Sequence, residues 1–208
     1  MKAREEILRR VQSAHVASNN QEIRRDYAHT VELSDPVALF VERVEDYKAT
    51  VIRTDPDKVA AAVAKSLAGA RRVVVPAGFN PSWQPGEIDI VQDEPVLSSE
   101  DLDGVDAVLT SAVVGVAVTG TIVLDHTEGQ GRRALTLVPD LHVCVITAQQ
   151  IVGDVPEAIA RLSSSVSAGR PLTWVSGPSA TVDIELIRVH GVHGPRTLRV
   201  VLVESTTG

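Results

Sequence analysis

A run of small and hydroxyl-bearing residues, Ser176–Glu185, follows an apolar segment that is typical of a buried strand. Gly177 allows a ligand to approach the backbone closely, and Ser179 and Thr181 supply hydroxyl donors. Asp183 could orient a ligand hydroxyl or a catalytic group. This chemistry fits a phosphate or carboxylate, although the Gly-Lys-Ser/Thr ending of a Walker A loop is absent. The alternative is a helix N-cap with acidic residues in the first turn.

A second glycine-containing loop, His190–Arg196, precedes the last predicted strand. Beside Gly194, Arg196 could hold a carboxylate or phosphate through two parallel hydrogen bonds. His193 could transfer a proton near neutral pH, because an unperturbed imidazole titrates close to that range. Two histidines three residues apart are more often surface residues than metal ligands, and no cysteine or carboxylate lies at a zinc-binding spacing. The loop therefore predicts an anion contact without a metal.

Two further glycine turns could contribute to the same site. Thr119, Gly120 and Thr121 offer amide and hydroxyl donors to an oxyanion, but the triplet also fits a plain tight turn between strands. Arg132 lies in a basic glycine loop, Gly129–Arg133, that could contact an anion or form only a solvated hairpin. With these turns, the predicted ligand-binding residues come from several separate parts of the chain.

Cys144 and the segment Asp125–Glu128 are weaker candidates for chemistry. Cys144 lies in an apolar run, where a cysteine is usually an inert core residue, so it is a poor candidate for a nucleophile. An iron–sulfur cluster needs about four thiolates, and the chain has one cysteine. Asp125–Glu128 could hold a hard metal ion, but a solvated loop at a strand end is the better interpretation. We therefore predict neither a metal nor a cofactor on this chain.

Two helices are predicted in the N-terminal part of the chain. Helical spacing of apolar residues predicts an amphipathic helix over 2–17 and a second over about 36–48, which begins at an Asp-Pro cap pair. These helices precede the strand pattern. We therefore divide the chain into an N-terminal helical extension, 1–48, and one α/β unit, 49–208.

Short apolar runs separated by helices predict the central sheet. Most runs lack the alternation of a strand that is buried on one face only. They therefore predict an α/β fold with a mostly parallel central sheet and helices on both faces. In such folds the ligand lies outside the carboxyl ends of the strands, so the loops that follow the runs are the places to search. The runs occur at residues 49–53, 72–76, 106–110, 121–125, 142–147, 172–175 and 198–203.

Composition limits the class of partner. The 208 residues carry a formal net charge of −7, which repels nucleic acid. The longest apolar runs are far shorter than the roughly 20 residues that cross a bilayer, and a single cysteine without an apolar leader is typical of the cytoplasm. We therefore expect a cytoplasmic protein that binds an anionic small molecule, without a nucleic-acid partner or a membrane span. A homo-oligomer is compatible with these properties.

Four segments in this order carry a family resemblance: Thr119–Leu124, Leu135–Asp140 leading to His142, Ser176–Glu185, and Gly191–Arg196. Together they resemble the lactate utilization protein C group of the LUD domain family. The resemblance implies a fold similar to the ribose-phosphate isomerase and CoA-transferase group. It also implies a place in a bacterial three-protein system that oxidises L-lactate to pyruvate, in which the iron–sulfur clusters lie on the partner proteins. A carboxylate often precedes the Thr-Gly-Thr motif in this family, whereas this chain has Val118.

Four functions fit these expectations. The leading hypothesis is a non-cluster component of the L-lactate oxidation system, with Arg196 holding the anion and His193 as the proton-transfer group if this chain performs chemistry. A chemically silent assembly or regulatory subunit fits equally well. The alternative is a stand-alone isomerase, acyl-transferase or ligase acting on a small phosphorylated or carboxylated substrate, which would turn over without partner proteins. A pure interaction scaffold would instead tolerate loss of Arg196.

Overall fold

The computed structural model describes residues 3–14, 26–181, 189–191 and 193–204. Helix α1, Ala3–Ser13, has no buried residue. Helix α2, Pro36–Asp46, begins where the Asp35 side chain accepts a hydrogen bond of 2.9 Å from the Ala38 N–H. Within these ranges, no helix is both long enough and apolar enough to cross a membrane.

A six-stranded parallel sheet forms the centre of the molecule, in the order β1-β12-β7-β4-β2-β3. Its central strands are buried along nearly their whole length, because helices or turns cover both faces. This sheet confirms the predicted α/β fold. Its strands are β1 Thr50–Thr54, β2 Arg72–Val75, β3 Asp89–Gln92, β4 Ala107–Ser111, β7 Leu141–Thr147 and β12 Thr197–Val203.

The two faces of this sheet have separate cores. On one face, alternate residues of β7 and β12 pack with helix α3, Val59–Ser66. On the other face, Phe40 and Val44 of α2 pack against Cys144, and helix α4, Ser99–Asp103, adds Leu102 to a neighbouring cluster. The division of the chain at residue 48 stays a prediction, but α2, on the N-terminal side of that boundary, is part of the core.

A second sheet of four short strands lies beside the first, in the order β8-β5-β6-β9. The sequence pattern assigned the runs at 121–125 and 172–175 to the central sheet, and this assignment is wrong. Residues 114–124 form an antiparallel hairpin instead, which turns at Gly120 with a φ of 58°. Its strands are β5 Val114–Val116, β6 Thr121–Leu124, β8 Ile151–Val152 and β9 Thr173–Val175.

Two short helices and a strand pair complete the described fold. Helices α5, Val155–Arg161, and α6, Ser163–Ser167, follow β8, and Ala158 of α5 packs in the core of the second sheet. Strands β10, Ala180–Thr181, and β11, Val189–His190, form an antiparallel pair. This pair joins the two glycine-containing loops that the sequence predicted as ligand contacts.

Candidate functional site

A cavity of about 240 Å³ lies between the two sheets. His142 and Leu198, which line it, are the second residues of β7 and β12, so the cavity lies at the amino ends of these parallel strands. The sequence predicted ligand loops at the carboxyl ends of the strands. The predicted and observed positions differ because β9 belongs to the second sheet. Its carboxyl end, followed by Ser176, opens into this cavity.

Four of the predicted site residues line the cavity: the ligand-binding candidates Gly177, Ser179 and Gly194, and the proton-transfer candidate His193. Hydrogen bonds hold their two loops together, because the Ser179 Oγ accepts from the His193 backbone N–H at 3.1 Å. The Ser179 N–H in turn donates to the Pro195 carbonyl at 2.8 Å. His193 is exposed to solvent at the rim. Two loops whose bonded residues are 14 positions apart in sequence therefore form one wall.

The Thr119-Gly120-Thr121 triplet lies behind this wall and does not line it. The Thr121 hydroxyl is 2.7 Å from the Thr119 hydroxyl and 2.7 Å from that of Ser176. Ser176 itself lines the cavity. A chain of hydroxyls thus leads from the hairpin turn to the cavity, and the triplet supports Ser176 rather than contacting the cavity directly.

Arg132 lies away from the cavity. Its guanidinium forms two hydrogen bonds to the Asp93 carboxylate, at 2.7 Å and 3.0 Å, and a third to the Leu97 carbonyl at 2.7 Å. Burial by itself would raise the pKa of Asp93, but Arg132 and the Leu97 N–H hold it below its ordinary value. Arg132 therefore fixes the segment after β3.

The next residue, Arg133, lines the cavity instead. It begins a 3-10 turn, Arg133–Thr136, and its Nη1 donates to the Thr136 Oγ1 at 2.9 Å. Partial desolvation lowers the pKa of Arg133, but an arginine stays charged in proteins. No carboxylate pairs with it in the described ranges. The sequence indicated the basic loop, but the predicted contact, Arg132, is the neighbour of the arginine that lines the cavity.

Arg196 does not line the cavity in the described part of the chain. Its guanidinium lies 3.5 Å from the Asp140 carboxylate, and both side chains are more than 60% exposed. An exposed ion pair of this kind contributes little to stability. Of the other predicted residues, Thr181 lies in β10 and Asp183 lies outside the described residues.

His142 lines the cavity, although it was not among the site residues predicted from the sequence. Its Nε2 lies 2.8 Å from the Thr110 hydroxyl, and the side chain is only 2% exposed. Burial, reinforced by the positive charge of Arg133, lowers the pKa of His142 to about 4. The imidazole is therefore neutral at physiological pH. The feature of the sequence that could have identified His142 is a single histidine within an apolar run.

Cys144 lies two residues further along β7 and is fully buried. Burial raises the pKa of the Cys144 thiol to about 12, against a smaller opposite effect of Thr110. A thiol that remains protonated at neutral pH is a poor nucleophile, because the thiolate is the reactive form. The described residues also contain no group of three histidine, cysteine, aspartate or glutamate side chains arranged to hold a metal ion.

Asp125 is buried, which contradicts its interpretation as part of a solvated loop. It is 3% exposed and accepts hydrogen bonds from the Ser165 hydroxyl at 2.5 Å and the Thr127 hydroxyl at 2.6 Å. The Gln130 side-chain amide donates at 3.0 Å, and Arg170 lies 3.6 Å away. The loop after β6 is therefore fixed to α6 by an ionised carboxylate.

We expect Asp125→Asn to lower the free energy of unfolding by about 2–3 kcal/mol at pH 7. Burial by itself raises the pKa of Asp125, but Ser165, Thr127 and Arg170 hold it below its ordinary value. Because the folded-state pKa is lower, the ionised carboxylate stabilises the fold above the unfolded pKa of about 4. This contribution is lost as pH falls through the folded-state pKa.

Urea unfolding of the wild type and Asp125→Asn at pH 7, 5 and 3 measures this effect. The difference between the two proteins should shrink at pH 3. Asp103→Asn, at an exposed carboxylate, is the control and should change stability little at any of these pH values. A difference that stays constant down to pH 3 would contradict the ionised state of Asp125.

Comparisons with known proteins place the chain in a family. The family model described as LUD domain matches residues 82–203. Lactate utilization protein C of Deinococcus radiodurans is 51% identical over 164 residues, which cover 79% of this chain and 77% of that protein. Uncharacterized protein YkgG of Escherichia coli is 35% identical over 88 residues, 40% of this chain and 38% of that protein.

A crystal structure described as a DUF162 family protein from Deinococcus radiodurans is similar in fold, with a TM-score of 0.73 and 45% identity. The similarity covers 81% of this chain and 96% of that one. The family model spans more than half of this chain, and the first relative matches it over more than two thirds of both lengths. On these grounds, the chain belongs to the LUD domain family.

Proposed function

We propose that this chain is the component without a metal cluster of a bacterial L-lactate oxidation system, and that it binds a small anionic metabolite in the cavity beside Arg133. The name of the 51% identical relative, lactate utilization protein C, supports the pathway. Iron–sulfur clusters would lie on partner proteins, because this chain has one cysteine and it is buried.

The charge of the cavity lining is the observation that carries the anion proposal. The whole chain is acidic, with 27 aspartates and glutamates against 20 lysines and arginines. The described lining nevertheless contains Arg133 and no carboxylate. Ser176 and Ser179 add hydroxyl donors, and His142 adds a neutral imidazole. A cation surrounded by neutral donors is the chemistry that binds a carboxylate or phosphate.

Two tryptophans make ligand binding directly measurable. Trp174 lines the cavity and is 39% exposed. Trp83 packs edge-on against Phe79 on the outer part of the core, with ring centroids 6.0 Å apart. The variant Trp83→Phe therefore keeps one tryptophan, at the cavity, as a fluorescence reporter.

Titration of Trp83→Phe with L-lactate, pyruvate and inorganic phosphate is expected to give a saturable fluorescence change with at least one of them. The same ligand at about 100 times its Kd should stabilise the wild type by about 2.7 kcal/mol in thermal unfolding. Trp174→Phe is the matched control, which should keep the stabilisation but lose the fluorescence change. The absence of both signals with all three compounds would refute the anion site.

The pathway assignment has an independent test. Deletion of the gene from its host should abolish growth on L-lactate and leave growth on pyruvate unchanged. Growth on L-lactate without this chain would contradict the assignment, whatever the cavity binds.

A further inference from the structure

We propose that His142 contacts the ligand and selects a 2-hydroxy or 2-oxo carboxylate, by a hydrogen bond from its Nδ1 to the oxygen next to the carboxylate that Arg133 holds. This inference rests on the proposed anion site and adds the class of ligand. A buried strand residue would thus recognise the oxygen on the second carbon of the ligand.

The hydrogen bonding of His142 supports this role. His142 is only 2% exposed, yet it lines the cavity. Its Nε2 is hydrogen bonded to Thr110 at 2.8 Å, and Nδ1 has no hydrogen-bond partner among the described residues. Among the described residues, the side-chain atom that is both buried and without a hydrogen-bond partner is Arg170 Nε. Nδ1 of His142 has no partner there and is not in that class, so it is accessible. Nδ1 is therefore available to a ligand.

The surroundings of His142 keep it neutral. Arg133 acts on it from the 3-10 turn, His193 also lines the cavity, and Cys144 follows on the same strand. Burial and the charge of Arg133 lower the pKa of His142 to about 4. A neutral imidazole donates from one nitrogen and accepts at the other. Because the Thr110 hydroxyl can also donate or accept, the pair can switch tautomer to fit either an alcohol or a ketone.

The size and charge of the cavity favour a small monoanion. A cavity of about 240 Å³ is slightly smaller than most ligand sites, which usually measure about 300–1,000 Å³. Its described lining supplies one permanent positive charge, from Arg133. A polyphosphate would bring several negative charges to this single cation, whereas a monocarboxylate matches it.

The test compares L-lactate with propionate, which has the same carbon chain but no oxygen on the second carbon. Fluorescence titration in the Trp83→Phe background is expected to show about tenfold tighter binding of L-lactate, the effect of one hydrogen bond of roughly 1.4 kcal/mol. His142→Gln places an amide near the position of Nε2 and removes Nδ1. It should reduce the preference to about twofold or less while propionate affinity stays unchanged.

His142→Asn is the matched variant, because its shorter side chain places an amide near the position of Nδ1. It should retain most of the preference for L-lactate. Thermal unfolding of each variant without ligand shows whether it is folded. If the ratio of L-lactate to propionate affinity in His142→Gln equals that of the wild type, the proposal is overturned, whether or not both affinities fall.

The wild-type pH profile gives a test that needs no change at His142. The ratio of L-lactate to propionate affinity should stay constant between pH 6 and 8, because His142 remains neutral there. A ratio that changes across this range would assign the contact to another group and overturn the proposal. Binding of inorganic phosphate but of neither carboxylate would also overturn the proposal. If pyruvate and phosphate fail to bind as well, the anion site itself fails, which is a different result from an unchanged ratio.

Discussion

Replacing Arg133 with alanine should weaken anion binding by about 10- to 100-fold, the effect of losing a hydrogen-bonded cation worth roughly 1.5–3 kcal/mol. Arg133 is the permanent cation of the described cavity lining, and its side chain already bonds to Thr136. Both L-lactate and propionate should lose affinity equally, because each presents a carboxylate. Fluorescence titration in the Trp83→Phe background measures the loss.

Arg132→Ala is the control for this prediction, since it removes the same charge from the neighbouring position. It breaks the pair with Asp93 and should cost about 1 kcal/mol of stability, because Arg132 is 36% exposed and solvent screens the pair. Anion affinity should remain within about twofold of the wild type. If Arg132→Ala weakens binding as much as Arg133→Ala, the effect is one of overall charge and the cavity assignment is wrong.

Phe40→Ala should lower the free energy of unfolding by about 3–5 kcal/mol. Phe40 is fully buried and packs in one cluster with Ile146 of β7 and Leu202 of β12. A side chain added at Gly115 would contact both Phe40 and Ile146, so the packing around Phe40 is tight. Removing the ring would therefore leave a cavity that the neighbouring residues fill only in part. Urea unfolding at pH 7 measures the change.

Ile159→Ala is the comparison, because Ile159 lies on α5 and is 48% exposed. It should cost under about 1 kcal/mol. The contrast also tests the division of the chain at residue 48. A loss below about 1 kcal/mol for Phe40→Ala would support a peripheral N-terminal extension, whereas the expected large loss would make α2 an integral part of the α/β unit.

The sequence by itself determined five of the six strands of the central sheet, all but β3, and two of the loops that line the cavity. Continuous apolar runs predicted β4, β7 and β12 as strands buried on both faces, because that pattern depends only on local residue type. The glycines of residues 176–179 and 191–196 marked loops for the same reason. These two loops line one cavity with Ser179 and His193.

Only the tertiary structure decided which charged and polar residues face that cavity. Arg132 and Arg133 are adjacent and chemically equal in the sequence, but one precedes the 3-10 turn and the other begins it, so they contact different parts of the molecule. His142 became a cavity residue only when β7 was placed beside the second sheet. Hydrophobic periodicity reports how deeply a residue is buried, whereas strand pairing over long sequence separations decides its neighbours.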